Sequence, residues 1–190
     1  MDRDVVTIVS GLPRSGTSMM MRMLEAGGLE VLTDNVRKAD DDNPEGYYEL
    51  ERVKQVKHDQ AWLQDAKGKV VKMVSALLIE LPPTYTYKVV FMRRKMEEIL
   101  ASQRQMLVRQ GKPANSVSDE RMAAMFEKHL RQVKTWIAER SDMGAIYVDY
   151  NQMLQQPLEH VKAVNVFLGN RLDTEAMVGI VNPALYRQRR

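Results

Sequence analysis

The residues best equipped for chemistry lie in the stretch SGLPRSGTS, Ser10–Ser18. It is framed by an apolar run, Val5–Val9, and by a helix-forming run, Ser15–Ala26, closed by Gly27 and Gly28. The stretch is therefore expected to turn a buried strand into a helix. At such a turn the backbone N–H groups of the helix start can cradle an anion. Gly11 and Gly16 permit tight turning and close approach to phosphate oxygens. Arg14 supplies a forked cation suited to phosphate or sulfate, and Thr17 and Ser18 add hydroxyl donors. A plain strand–helix turn with a surface arginine is the bland alternative, and it leaves the grouping unexplained. An ATP or GTP loop reads G-x-x-x-x-G-K-[ST]. Gly11 and Gly16 keep that spacing, but Thr17 stands where the lysine belongs, and the charge comes earlier, from Arg14. That departure counts against a kinase or NTPase.

A second basic group opens the segment KVVFMRRKMEEILASQ, where Arg93, Arg94 and Lys95 precede a helix. Cations at a helix N-terminus oppose the macrodipole unless an anion binds there, whereas Glu97 and Glu98 suit the first turn and call for no further role. Lys72 sits alone in the apolar run Val70–Val74. Its desolvation is costly unless the ammonium meets an anion or water, and the alternative is a lysine snorkelling to solvent. Candidate carboxylates cluster in residues 34–51: Asp34, Asp40, Asp41, Asp42, Glu45, Glu49 and Glu51. The three histidines, His58, His129 and His160, are scattered, and there is no cysteine. Disulfides, thiolate metal sites and cysteine nucleophiles are excluded, and no metal ligand set is expected.

These groups need elements to position them. Strands are expected at Val5–Val9, Val70–Val74, Lys88–Met92 and Ala145–Asp149. Helices are expected at Ser15–Ala26, Glu49–Asp65, Arg94–Gln110, Asp119–Glu139 with Ser118 as N-cap, Pro157–Leu168 and Thr174–Ile180. Strand–helix alternation predicts an α/β fold in three layers, resembling a P-loop NTPase, with a central parallel sheet of four to five strands flanked by helices. Ligands of such sheets bind at the carboxyl ends of the strands.

With these motifs in place, the chain resembles the PAPS-dependent sulfotransferases. Their 5′-phosphosulfate loop carries a Pro-(Lys/Arg)-Ser-Gly-Thr core, matched by Pro13, Arg14, Ser15, Gly16 and Thr17 in the arginine version seen in tyrosylprotein sulfotransferases and bacterial relatives. In that family an arginine at a strand end and a serine eight positions on hold the carrier's 3′-phosphate. Arg94 and Ser102 have that spacing. Eight helical residues rise about 12 Å, so an arginine folding along the helix can share a phosphate with the hydroxyl. A weaker likeness runs through IYVDYNQMLQQPLEHVKAVNVFLG, where Tyr150 and Pro157 fall on the family's pattern. The resemblance implies that Tyr150 contacts the carrier, with packing as its alternative role, and that Arg187 of the C-terminal tail lies near the 3′-phosphate. The Gly-x-x-Gly-x-x-Lys segment of the cytosolic enzymes is missing.

The resemblance implies a metal-independent in-line transfer of a sulfuryl group from PAPS, leaving PAP, to a hydroxyl or amine. Arg14 would assist the leaving group and Lys72 would supply a second cation, as relatives carry a lysine at the end of the corresponding strand. The NPEGYYE segment resembles a pattern in bacterial relatives and makes Glu49 the favoured base, with Glu45 and Asp34 behind it. The rival readings are a P-loop phosphotransferase using Mg-ATP and a non-catalytic nucleotide-binding protein.

Bulk properties agree with a small-ligand enzyme. The 190 residues, 44% hydrophobic and 28% charged, read as a single domain over 1–190. A net charge of +3 suits an anionic ligand and does not by itself call for nucleic acid. No apolar run approaches the roughly 20 residues of a membrane span, and the charged N-terminus MDRDVV has no signal-like stretch, so a cytoplasmic location is expected. The acceptor, whether a small molecule, carbohydrate or peptide, and the oligomeric state are not encoded in any motif.

Overall fold

β-Branched and apolar residues at four places build a parallel sheet: β1 Val5–Gly11, β2 Val70–Val74, β3 Thr86–Arg93 and β4 Met143–Asp149, in the order β2-β1-β3-β4. The computed structural model describes residues 4–34, 36–37, 40, 43, 46–113 and 117–181. All seven residues of β1 are buried, as a central strand covered on both faces requires. Its register sets Val9 opposite Lys72 on one side and Val90 on the other.

The helices are α1 Thr17–Ala26, α2 Trp62–Asp65, α3 Met96–Arg109, α4 Asp119–Ala138, α5 Tyr150–Gln155, α6 Pro157–Leu168 and α7 Thr174–Gly179. Alternate strand residues feed two cores. Ile8, Val71, Val89 and Phe91 pack with Trp62, Leu63, Val133 and Ile137 on one face. Val9, Val90, Met92 and Val148 pack with Met20, Met21, Met23, Val161 and Met177 on the other. The result is the three-layer α/β architecture expected from the strand–helix alternation. Among the described residues no helix is long and apolar enough to cross a membrane.

The β2 and α6 boundaries fall where the sequence puts them, and Ser118 caps α4 by accepting from the Arg121 N–H at 3.3 Å. Residues 49–65 differ from expectation. Instead of one helix they form a 3-10 turn, Glu51–Gln55, and the short α2. Around the 3-10 turn the buried residues are Leu50, Val53 and Val56, a period of three that suits a 3-10 turn better than an α-helix. Asp59 then accepts from the Ala61 N–H at 3.0 Å, an Asx turn that interrupts the run. β3 continues through Arg93, so α3 begins at Met96 and not at Arg94. The short α5 was not expected; Asp149 caps it by accepting from the Gln152 N–H.

One consequence governs the site. The chain leaves β1 towards β2, then returns to place β3 on the opposite side of β1. The strand order therefore reverses at β1, and the crevice at the carboxyl ends of β1 and β3 is the expected binding position of an open α/β sheet. The loop after β1 carries Arg14, and the residue after β3 is Arg94.

Candidate active site

The loop after β1 is locked by its own side chains. Gly11 has φ +150°, and a Cβ there would lie 2.5 Å from Ser15 Oγ and 2.6 Å from the Met92 carbonyl oxygen. Ser15 is fully buried, and its hydroxyl donates to the Leu12 carbonyl at 2.7 Å. The Ser15 hydroxyl thus pins the turn, while Pro13, Arg14, Gly16, Thr17 and Ser18 line the pocket. Arg14 itself takes a left-handed backbone, φ +70°. Gly16, at φ +96°, opens α1 with no side chain capping the first N–H groups. A Cβ on Gly16 would meet the Tyr150 ring at 2.3 Å, so only glycine lets the loop lie against that ring.

The second basic group folds onto the first. Arg14 Nε donates to Ser102 Oγ at 2.8 Å, across 88 positions of sequence. Ser102 is buried on α3, not a neutral surface serine. Arg94 donates through one terminal nitrogen to the Arg14 carbonyl at 3.1 Å and through Nε to Glu98 at 2.8 Å. Its guanidinium carbon stands 4.6 Å from the centre of the Tyr150 ring. Tyr150 is buried and lines the pocket, so it packs and faces the ligand space at once. Burial raises its phenol pKa.

Lys72 reaches the same cavity from β2. Its ammonium donates to the Tyr47 carbonyl and to Ser18 Oγ, the latter at 3.2 Å, with a Glu49 carboxylate oxygen 3.9 Å away. Burial lowers its pKa to about 8; Glu49 acts in the opposite direction, and Arg37 and Arg14 add to the lowering. Glu49 is half-buried and accepts from Arg37 at 2.8 Å. Arg37 in turn lies 3.4 Å over the Tyr47 ring. Asn43 donates to Ser18 Oγ at 2.9 Å and to the Gly46 carbonyl.

Of the other acids, Asp34 braces the loop. Burial raises its pKa, but bonds from the Glu51 and Val36 N–H groups outweigh this and leave it lowered. Asp40 accepts from the Tyr47 hydroxyl at 2.6 Å. Neither lines the cavity. Asp41, Asp42, Glu45 and Arg187 lie outside the described residues. His58 is exposed. His129 is bonded to buried Ser75 at 2.8 Å, away from the lining, and burial lowers its pKa.

The cavity holds about 460 Å³. Among the described residues, seven Lys and Arg side chains line it against one carboxylate, Glu49. That balance fits a polyanionic ligand. Asn43, Tyr47, Arg37, Gln105, Met106 and Arg109 escaped the sequence reading. For α3 a signal was present: Ser102, Gln105, Met106 and Arg109 recur at one helical face. Among the described residues no group of three or more His, Asp or Glu side chains is placed to hold a metal ion.

The family model described as the sulfotransferase domain matches residues 3–189. No curated protein matches the sequence. Among solved structures, mouse sulfotransferase SULT7A1 complexed with PAP superposes with a TM-score of 0.57 at 16% identity, covering 96% of this chain and 64% of that one. Retinol dehydratase in complex with androsterone and inactive cofactor PAP gives 0.53 at 16% identity, covering 96% and 64%. The sulfotransferase domain from the curacin biosynthetic pathway gives 0.52 at 15%, covering 93% and 77%. At these identities the likeness establishes the fold, and this chain spans less than two thirds of the length of the two PAP complexes.

Proposed function

This chain belongs to the sulfotransferase-domain family, and we propose that it transfers the sulfuryl group of PAPS to a hydroxyl or amine acceptor without a metal ion. The observation that carries this reading is the 2.8 Å bond from Arg14 to Ser102. It joins the phosphate loop to the Arg94–Ser102 pair, so two anion-binding stations face one cavity. A ligand carrying phosphate at both its 5′ and 3′ positions fits that donor set. A nucleoside triphosphate asks instead for a loop lysine, and position 17 is threonine.

When bound, PAPS would supply the activated sulfuryl group and depart as PAP. The residues of this chain then have distinct tasks. The loop N–H groups, Thr17 and Ser18 bind and orient the 5′ end. Arg94 and Ser102 bind the 3′-phosphate, and Tyr150 backs both stations. Arg14, between the two, stabilises charge on the departing phosphate. Lys72 adds a second cation near Ser18. Glu49 takes the proton from the acceptor O–H or N–H. We place Arg187 with the 3′-phosphate group on the family pattern alone.

The lining also includes apolar side chains, Leu50, Val53, Met73, Val74, Leu77 and Met106. This apolar lining favours a small acceptor presenting its hydroxyl or amine from an apolar body, over a carbohydrate. The test is transfer of labelled sulfate from PAPS, in the presence of EDTA, to a panel of phenols, aliphatic alcohols, amines and sugars. Transfer to the apolar members is expected. No transfer to any member despite PAP binding would make the chain a binding protein, and phosphate transfer from Mg-ATP would replace the reading outright.

A further inference from the structure

Glu98 is the only fully buried Asp, Glu, Lys or Arg among the described residues, at 0% exposure. The sequence offers a modest reason for it, an acid in the first turn of α3. Burial gives a stronger one, because a carboxylate removed from water is costly unless paired and hydrogen-bonded. Both of its oxygens are engaged. Oε2 accepts from Arg94 Nε at 2.8 Å, and Oε1 accepts from Asn151 Nδ2 at 2.8 Å. Asn151 is held in that orientation by the Lys95 N–H, which donates to its Oδ1 at 3.4 Å. Two donors thus converge on one carboxylate. A glutamine could accept from only one of them and would set its own NH₂ against the other.

The Arg94 guanidinium is consequently fixed by Glu98 behind it, by the Tyr150 ring at 4.6 Å and by the Arg14 carbonyl at 3.1 Å, while it lines the cavity. Its side chain is only 8% exposed. We infer that Glu98, with Asn151, is a positioning residue. It holds Arg94 in the one orientation that meets a 3′-phosphate, and so sets the discrimination between nucleotides that carry that phosphate and those that lack it. The inference rests on the donor reading above.

The test is calorimetric titration of the full chain, without metal, with PAP and with 5′-AMP, which lacks the 3′-phosphate. The wild type is expected to prefer PAP. Glu98→Gln is expected to weaken PAP by about ten- to hundredfold, the range for losing a charged hydrogen-bond partner, and to leave 5′-AMP within about twofold. Asn151→Ala, on the rim of the network, shifts the same ratio in the same direction by a smaller factor. It carries the test alone if Glu98→Gln does not fold. Equal weakening of both ligands would mean that Glu98 only stabilises the fold. Tighter PAP binding would mean that its charge merely opposes the phosphate. Either result overturns the inference, as does a variant that keeps the preference. A wild type with no preference for PAP overturns the donor reading and this inference together.

Discussion

The two halves of the cavity are built in opposite ways. The half proposed for the donor uses strand ends: Gly11 ends β1, Arg14 and Gly16 follow it, Arg94 follows β3, and they are braced by buried partners such as Ser15, Glu98 and Tyr150. The half proposed for the acceptor uses Arg37, Glu49 and Lys54, paired with one another at partial exposure, with Arg37 lying over the buried Tyr47 ring. Rigid, desolvated contacts hold a fixed ligand firmly, whereas solvent-screened pairs contribute little and can be rearranged. On the proposed function, such a cavity would keep one donor and be free to change its acceptor.

Substitutions should separate the halves. The largest effect is expected for Arg14→Ala, which should lower turnover by about 10²–10³, the range for removing one donor to a developing charge, while PAP affinity falls less. Stopped-turnover kinetics with PAPS would check this; unchanged turnover with weakened binding would contradict it. Next, Arg94→Ala should cost PAP binding about 1.5–3 kcal/mol, read by calorimetry, with unchanged affinity as the opposing result.

The pH profile follows from Lys72. Its pKa is lowered to about 8, mainly by burial. The ammonium is therefore charged below that value and loses its proton as pH rises through it. If the charged form is needed, kcat/KM, which reports the free enzyme, declines as pH rises through about 8. A profile level to pH 9.5 would remove Lys72 from the chemistry. The smallest effect belongs to Arg37→Ala. It breaks a partly exposed pair with Glu49, and should change stability by less than about 1 kcal/mol and leave PAP affinity within experimental error, while altering acceptor KM. A loss of PAP affinity would erase the contrast between the halves.

The same contrast governs what the sequence revealed. Val5–Ser18 was legible because apolar runs, glycines and a helix start are local signals. Arg94 and Ser102 were legible as a spacing. Their union with Arg14 was not, since the contacts span 80 and 88 positions. Glu98 reads as complete on dipole grounds, and its burial and its bond from Asn151, on a helix the sequence did not announce, have no local signal. The Ser15 hydroxyl bond to the Leu12 carbonyl, which pins the turn, has no signal in the loop's composition. Residues 49–65 failed because a period-three apolar pattern passes for a period of 3.6 over one turn.

The claim beneath all of this is that both anion stations grip one doubly phosphorylated donor. Titrating the full chain with PAP in EDTA, against ATP with Mg²⁺, tests it most directly. PAP is expected to bind at least about tenfold tighter, a difference of roughly 1.4 kcal/mol. Tighter binding of Mg-ATP, or no measurable binding of PAP, would contradict it.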